Sequence, residues 1–189
     1  VSLAGVPNLA PFSYFQGVCS QPPTIVLGIA YNRDGTPKDT LRNILDRREF
    51  VVNHVSRPLA EGMNASSAAY PPETSEWPVA GVTAVPSAVV SAPRVKESKA
   101  SLECRLTQMV PLGEGPTGMP SSGLVIAEVV PLRVAQGLLK RDVRGRLLPI
   151  DPAHLAAVGR LGGIAYTATD ESFELVRPQA PAQKESTGQ

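Results

Sequence analysis

A chain of 189 residues with 42% hydrophobic side chains is the size of one ordinary domain with a real core. Its 18 basic and 17 acidic residues are spread along the sequence and leave a formal charge of +1, so no electrostatic footprint for nucleic acid is visible. No apolar run reaches the length of a membrane span and no basic-then-apolar signal peptide is present, which predicts a soluble chain with no membrane partner.

The 19 prolines and 16 glycines punctuate short, often β-branched apolar runs. That pattern predicts a mainly β protein with a few short helices. Cys19 and Cys104 are too few for a disulfide framework; both lie in strand-like runs and read as buried, reduced thiols, which implies a cytoplasmic setting. The chain starts at Val1-Ser2 without a methionine and with almost no room for a strand before the turn at Gly5-Val6-Pro7, so some sequence is expected to precede it.

In chain order, an interrupted strand is predicted from Leu9 to Val18, and a second from Thr24 to Ala30. Ile25-Val26-Leu27 is apolar enough for burial on both faces. A loop over 31–37 turns at Asp34-Gly35. Leu41, Ile44 and Leu45 fall at i, i+3 and i+4 on a helix of about three turns, with Asp39 or Thr40 as its N-cap. Glu49 to Val55 returns to strand, placing Asn53 on an otherwise apolar face where its amide must find a partner. Ser56 caps a second helix carrying Leu59 and Met63, and Tyr70 to Pro78, with the only tryptophan, reads as an irregular loop or lid.

Ala88 to Ser91 reads as a strand. Ser101 to Val110 is a half-buried one, with Leu102, Cys104 and Leu106 inward and Glu103, Arg105 and Thr107 outward. Leu124 to Val134 is its antiparallel partner across the loop at 113–123. Asp151-Pro152 starts a helix that Gly159 stops. Tyr166 to Thr169 and Phe173 to Val176 are late strands, and 178–189 is a polar, mobile tail after a domain spanning 1–177.

Several catalytic motifs fail on context. Gly113-Glu114-Gly115-Pro116-Thr117-Gly118 matches G-x-G-x-x-G, but Pro116 lies inside it and no helix follows, so it reads as a hairpin loop. His54 and His154 have no Cys or carboxylate at a metal-ligand spacing. There is no nucleophile elbow and no Walker loop.

Two binding elements remain. The run Asn8-Leu9-Ala10-Pro11-Phe12-Ser13-Tyr14-Phe15, closed by Pro22-Pro23, sets aromatic faces beside backbone N–H groups and suits a flat heteroaromatic ligand. Lys38-Asp39-Thr40 stands at a helix start, where an anionic group can sit. Taken singly, each has a plainer reading: Phe12, Tyr14 and Phe15 as barrel core, Lys38-Asp39-Thr40 as a solvated cap, Asn53 as a satisfied core amide.

In order, these segments together with Asn43, Glu49-Phe50-Val51-Val52-Asn53 and Arg160-Leu161-Gly162-Gly163 with Tyr166 resemble the flavin reductase-like, FMN-binding split-barrel family, in its flavoredoxin-like branch. The resemblance covers residues 1–177. It implies an antiparallel Greek-key split barrel, a homodimer, and FMN held without covalent attachment near the dimer interface. It places Ser13, Tyr14, Phe15, Gly17 and Cys19 along the isoalloxazine edge, Lys38, Asp39 and Thr40 at the phosphate, and Asn53 and Ser66 beside the cofactor. Arg160 and Tyr166 match further motif positions without an assigned catalytic role. Cys19 stands where most relatives carry serine, and the family's first strand is almost absent.

The function implied is an NAD(P)H-dependent flavin oxidoreductase that moves hydride from nicotinamide to flavin N5 and passes electrons to a small-molecule or protein acceptor. The alternative is a flavoredoxin-like FMN electron carrier without significant NAD(P)H reactivity. A third reading is a barrel that holds FMN only structurally or has lost it.

Overall fold

The computed structural model describes residues 1–178. Strands β1 (Phe15–Ser20) and β2 (Pro23–Ala30) form a hairpin, followed by helix α1 (Asp39–Arg47) and strand β3 (Glu49–Asn53). Two short helices, α2 (Ala60–Ala65) and α3 (Trp77–Ala80), precede the small strands β4 (Ala84–Val85) and β5 (Arg94–Val95). The long hairpin of β6 (Ala100–Leu112) and β7 (Ser122–Val134) comes next, then the one-turn helix α4 (Pro152–Leu155) and the hairpin of β8 (Val158–Gly162) and β9 (Ala165–Ala168).

The main sheet is antiparallel with order β1-β2-β7-β6-β3, so β3 returns to lie beside β6, in keeping with the mainly β, antiparallel class expected from the sequence. The period-2 pattern decides which face closes: Ile25, Leu27 and Ile29 from β2, Val125, Ala127 and Val129 from β7, Cys104 and Leu106 from β6 and Phe50 from β3 form one core. The apolar stripe of α1 covers one side of it with Leu41 and Ile44 fully buried and Leu45 packed against them. Register shifts at Leu102/Cys104 and Leu106/Gln108 interrupt β6, and such bulges bend a strand and increase its twist.

Several sequence expectations change in detail. Residues 9–14 are not strand; β1 starts at Phe15, and as an edge strand it exposes all six of its residues. Cys19 is therefore exposed, whereas Cys104 is fully buried and its thiol is pushed up to about 12 by burial. Val26 is only half-buried, so β2 has one core face. The N-cap of α1 is Lys38, one residue earlier than predicted, and neither it nor Ser56 makes a side-chain cap hydrogen bond. Glu49–Asn53 is shorter than the strand read to Val55.

Ala88 to Ser91 is a bend. Its backbone donors are taken by carboxylates, with Ala88 N and Val89 N bonding Glu103 and Ser91 N bonding Glu49, so no ladder forms. Glu103, read as facing outward, is fully buried for the same reason. Asp151 does cap α4, accepting from Ala153 N at 3.0 Å, but the helix stops at Ala156 in the left-handed region (φ 52°), and Gly159 lies in β8. Residues 173–176 form no strand. Apart from Pro178, the polar tail lies outside the described residues. No helix among those described is long and apolar enough to cross a membrane.

Candidate functional site: a polar-edged cleft beside the sheet

Residues 8–13 are tied at both ends by hydrogen bonds to the sheet, to Glu76 and to α1. Gly28 N donates to Tyr14 O at 2.8 Å, and a Cβ at position 28 would stand 3.0 Å from Tyr14 Cβ, so glycine permits this close approach. At the other end the buried Glu76 accepts from Leu9 N at 2.8 Å and from Asn8 Nδ2 at 3.0 Å. Asn8 Oδ1 in turn accepts from Thr40 Oγ1 at 2.7 Å, tying the segment to the first turn of α1.

Between this segment, α1, β3, the α2–α3 pair, β5 and the β8–β9 hairpin lies a cleft of 540 Å³. Its walls are mostly apolar, but several polar groups are fixed in them. Asn53 Oδ1 accepts from Val95 N at 2.9 Å and Ser101 Oγ at 3.1 Å. A backbone N–H can only donate, so the amide oxygen faces Val95 and the NH₂ is the end left for a ligand. Ser66, buried, donates to Met63 O at 2.8 Å and keeps its lone pairs.

Trp77 Nε1 and His54 Nδ1 are buried without a hydrogen-bond partner among the described residues, and both residues line the cleft. Burial, then the charge of Lys99, lowers the His54 pKa from its ordinary 6.5, so the ring is neutral at neutral pH. At the rim, Arg160 lies 5.2 Å from the Tyr166 ring centroid and donates to its hydroxyl at 3.1 Å; the two face each other in the β8–β9 ladder.

The structure thus brings Ser13, Phe15, Thr40, Asn53 and Ser66 into one cleft, together with Arg160 and Tyr166. Tyr14 is 81% exposed and, with Ser13 and Phe15, lines a shallower groove on the outer side of β2. Gly17, Cys19, Lys38 and Asp39 lie outside the cleft wall; Lys38 is exposed just before α1, and Asp39 pairs with Arg42. Of the aromatic run, only Phe12 packs against the core. Glu76 was not singled out by sequence reasoning and His54 only as a metal ligand that was set aside; Glu76 meets Asn8 across a separation of 68 residues, for which no local pattern exists.

Among the described residues no group of three or more His, Cys, Asp or Glu is placed to hold a metal ion. What the cleft offers is apolar walls with a few directed donors, the chemistry of a ring-binding site. A flavin ring fits it: carbonyl oxygens and ring nitrogens along a flat edge can satisfy the Asn53 NH₂ and the orphaned Trp77 N–H, whose burial without a partner otherwise carries a penalty of about 1–3 kcal/mol.

Known proteins agree with this class. Residues 1–149 match the family model described as flavin reductase like domain. A curated relative from Halalkalibacterium halodurans, itself uncharacterized, is 41% identical over 97% of this chain and 85% of its own length. The crystal structure of nitrilotriacetate monooxygenase component B from Bacillus cereus superposes with a TM-score of 0.84 at 36% identity, covering 93% of this chain and 83% of that one. That of the Pseudomonas fluorescens 2-nitrobenzoate 2-nitroreductase NbaA gives 0.79 at 26% identity, over 97% and 84%. Fold, cleft and relatives define a flavin-binding oxidoreductase of split-barrel type. The chain belongs to the flavin reductase-like family.

Proposed function

We propose that this chain is an FMN-dependent NAD(P)H:flavin oxidoreductase with the isoalloxazine ring in the 540 Å³ cleft. The observation that carries this reading is a pair of donors set in otherwise apolar walls: the Asn53 NH₂, whose amide oxygen is already committed to Val95 N and Ser101 Oγ, and the Trp77 indole N–H, buried without a partner among the described residues. Bound FMN supplies hydride acceptance and one- or two-electron transfer, so the protein needs to bind and orient rather than to provide acid or base.

In this reading Asn53 and Trp77 hold the ring edge and the apolar walls exclude water. Arg160, held over Tyr166, guards the rim. The phosphate sits at the N-terminus of α1, where the N–H groups of the first turn and the Lys38 ammonium attract an anion. Ser13 and Phe15 present the neighbouring edge of the site, whereas Tyr14, Gly17 and Cys19, expected there from the sequence, lie outside the wall of this cleft. The monooxygenase component and the nitroreductase support a redox role through their names.

The exposed edge strand β1, with Phe15 and Val18 and the exposed Tyr14 just before it, is proposed to pair with a second copy in a homodimer that completes the cofactor site. A cytoplasmic setting is proposed because Cys19 and Cys104 are both free thiols.

Anaerobic addition of NADH or NADPH to the FMN-loaded protein tests the reaction. Bleaching of the yellow absorption band is expected with at least one of them. Bleaching by dithionite but by neither nucleotide would favour the electron-carrier alternative.

A further inference from the structure

Glu76 is buried (7% exposed), distant in sequence from the segments that mark the family, and does not itself line the cleft. We propose that Glu76 is a positioning residue that fixes the hydrogen-bond polarity of Thr40, making the Thr40 hydroxyl an acceptor toward the ring or ribityl chain of the flavin and not a donor to its phosphate. The proposal rests on the flavin reading of the cleft and narrows it.

The argument is one of donors and acceptors taken in sequence. An ionised carboxylate can only accept. Glu76 therefore accepts from Leu9 N–H through one oxygen and obliges Asn8 to present its NH₂ to the other, at 2.8 and 3.0 Å. With its NH₂ committed, Asn8 has only its carbonyl oxygen for Thr40, 2.7 Å away. An amide oxygen cannot donate, so the Thr40 proton is used here and only lone pairs remain for anything else in the cleft. A phosphate oxygen, which also only accepts, has no bond to make with that hydroxyl. An N–H or O–H of the ligand does. Glu76 has no role in the cleft beyond this chain of contacts: it sits at the N-cap of α3, immediately before Trp77, and links three segments of the wall.

Replacing Glu76 by its amide isostere keeps the shape and reverses the polarity. In Glu76→Gln the new NH₂ faces Asn8, whose amide must flip; Thr40 then accepts from Asn8 and turns its proton elsewhere. Exchanging the two groups, as Glu76→Gln combined with Asn8→Asp, restores an acceptor toward Thr40 and a donor between positions 76 and 8, in nearly unchanged volume. A merely structural contact would not be rescued this way.

The test is titration of FMN and of riboflavin into wild type, Glu76→Gln, the exchanged double variant and Thr40→Val, read by flavin fluorescence quenching, with the Asn8 side-chain amide followed by NMR in the flavin-free proteins. Glu76→Gln and Thr40→Val are expected to weaken both flavins alike, by about tenfold. The double variant is expected to return to within about twofold of wild type. The Asn8 amide protons are expected to shift in Glu76→Gln and to do so without flavin. A Thr40→Val loss confined to FMN would overturn the proposal by assigning Thr40 to the phosphate, as would a double variant as weak as the single one. If wild type binds neither flavin, the reading of the cleft fails, and an unshifted Asn8 amide in Glu76→Gln separately overturns the role of Glu76.

Discussion

Glu103→Ala is expected to cost about 3 kcal/mol or more of folding stability and to release the bend at residues 86–92 from the sheet. Glu103 is the fully buried carboxylate of β6, accepting from Ala88 N at 2.8 and 3.0 Å and from Val89 N at 2.8 Å, with Arg133 Nε 3.7 Å away. Each hydrogen bond to a charged acceptor contributes about 1.5–3 kcal/mol, and truncation leaves the two N–H groups without partners. The same bend leads into Ala92, Pro93 and Val95 of the cleft wall, so ligand affinity should fall with it. Urea denaturation checks this; an unchanged midpoint would contradict it.

The loss also has a pH signature. Burial alone would raise the Glu103 pKa, but the N–H groups of Ala88, Val89 and Val90 and the charge of Arg133 outweigh it and hold the carboxyl below its ordinary 4.5. Because the folded value lies below the unfolded one, the contribution is fully present above that ordinary value and is lost as pH falls through the folded one. The difference in stability between wild type and Glu103→Ala should therefore shrink in acid and be constant near neutrality.

Lys38→Ala is expected to weaken FMN by tenfold to a hundredfold, on the order of the 1.5–3 kcal/mol of a charge-assisted bond, and to leave riboflavin much less affected. Lys38 is exposed at the N-cap of α1, and among the described residues no carboxylate pairs with it, because Asp39 is taken by Arg42. Its ammonium is free for an anion at the helix start. Equal losses for FMN and riboflavin would point to a disturbed turn and withdraw the phosphate from this position. An FMN-selective loss at Lys38 differs from the equal loss expected at Thr40, so the two variants together test the proposed division of the ligand between phosphate and ring or ribityl chain.

Local periodicity made the core strands legible. Leu102, Cys104 and Leu106 alternate as a half-buried strand must, and the stripe of Leu41, Ile44 and Leu45 marks α1, because both patterns are set by chain geometry alone. The same rule misplaced Glu103. Alternation sends it outward, and nothing near it in sequence says that residues 86–92 will fold over that face and spend their backbone donors on its carboxylate.

The strand read from Leu9 failed for a similar reason: residues 9–14 are not strand, and the plainer alternative of Tyr14 and Phe15 as packed core also fails, because the sheet ends at β1 and leaves both exposed. Of the site, Asn53 was legible because an amide on an apolar strand face must find a partner, and it does so in Val95 N and Ser101 Oγ. The Glu76–Asn8–Thr40 connection was not, since it joins residues 32 and 68 positions apart through tertiary folding only.

The sole tryptophan gives the most direct measurement of the central claim. Trp77 contributes a single indole N–H resonance, that N–H is buried and unpaired among the described residues, and the residue lines the cleft. Titrating flavin-free, ¹⁵N-labelled protein with FMN should move this one peak far and saturably, ending at one flavin per chain, because hydrogen bonding and the ring current of an adjacent isoalloxazine act only at short range. An indole peak that stays in place while FMN binds would put the flavin elsewhere on the molecule, and a peak that stays in place with no FMN bound would remove the flavin from the account.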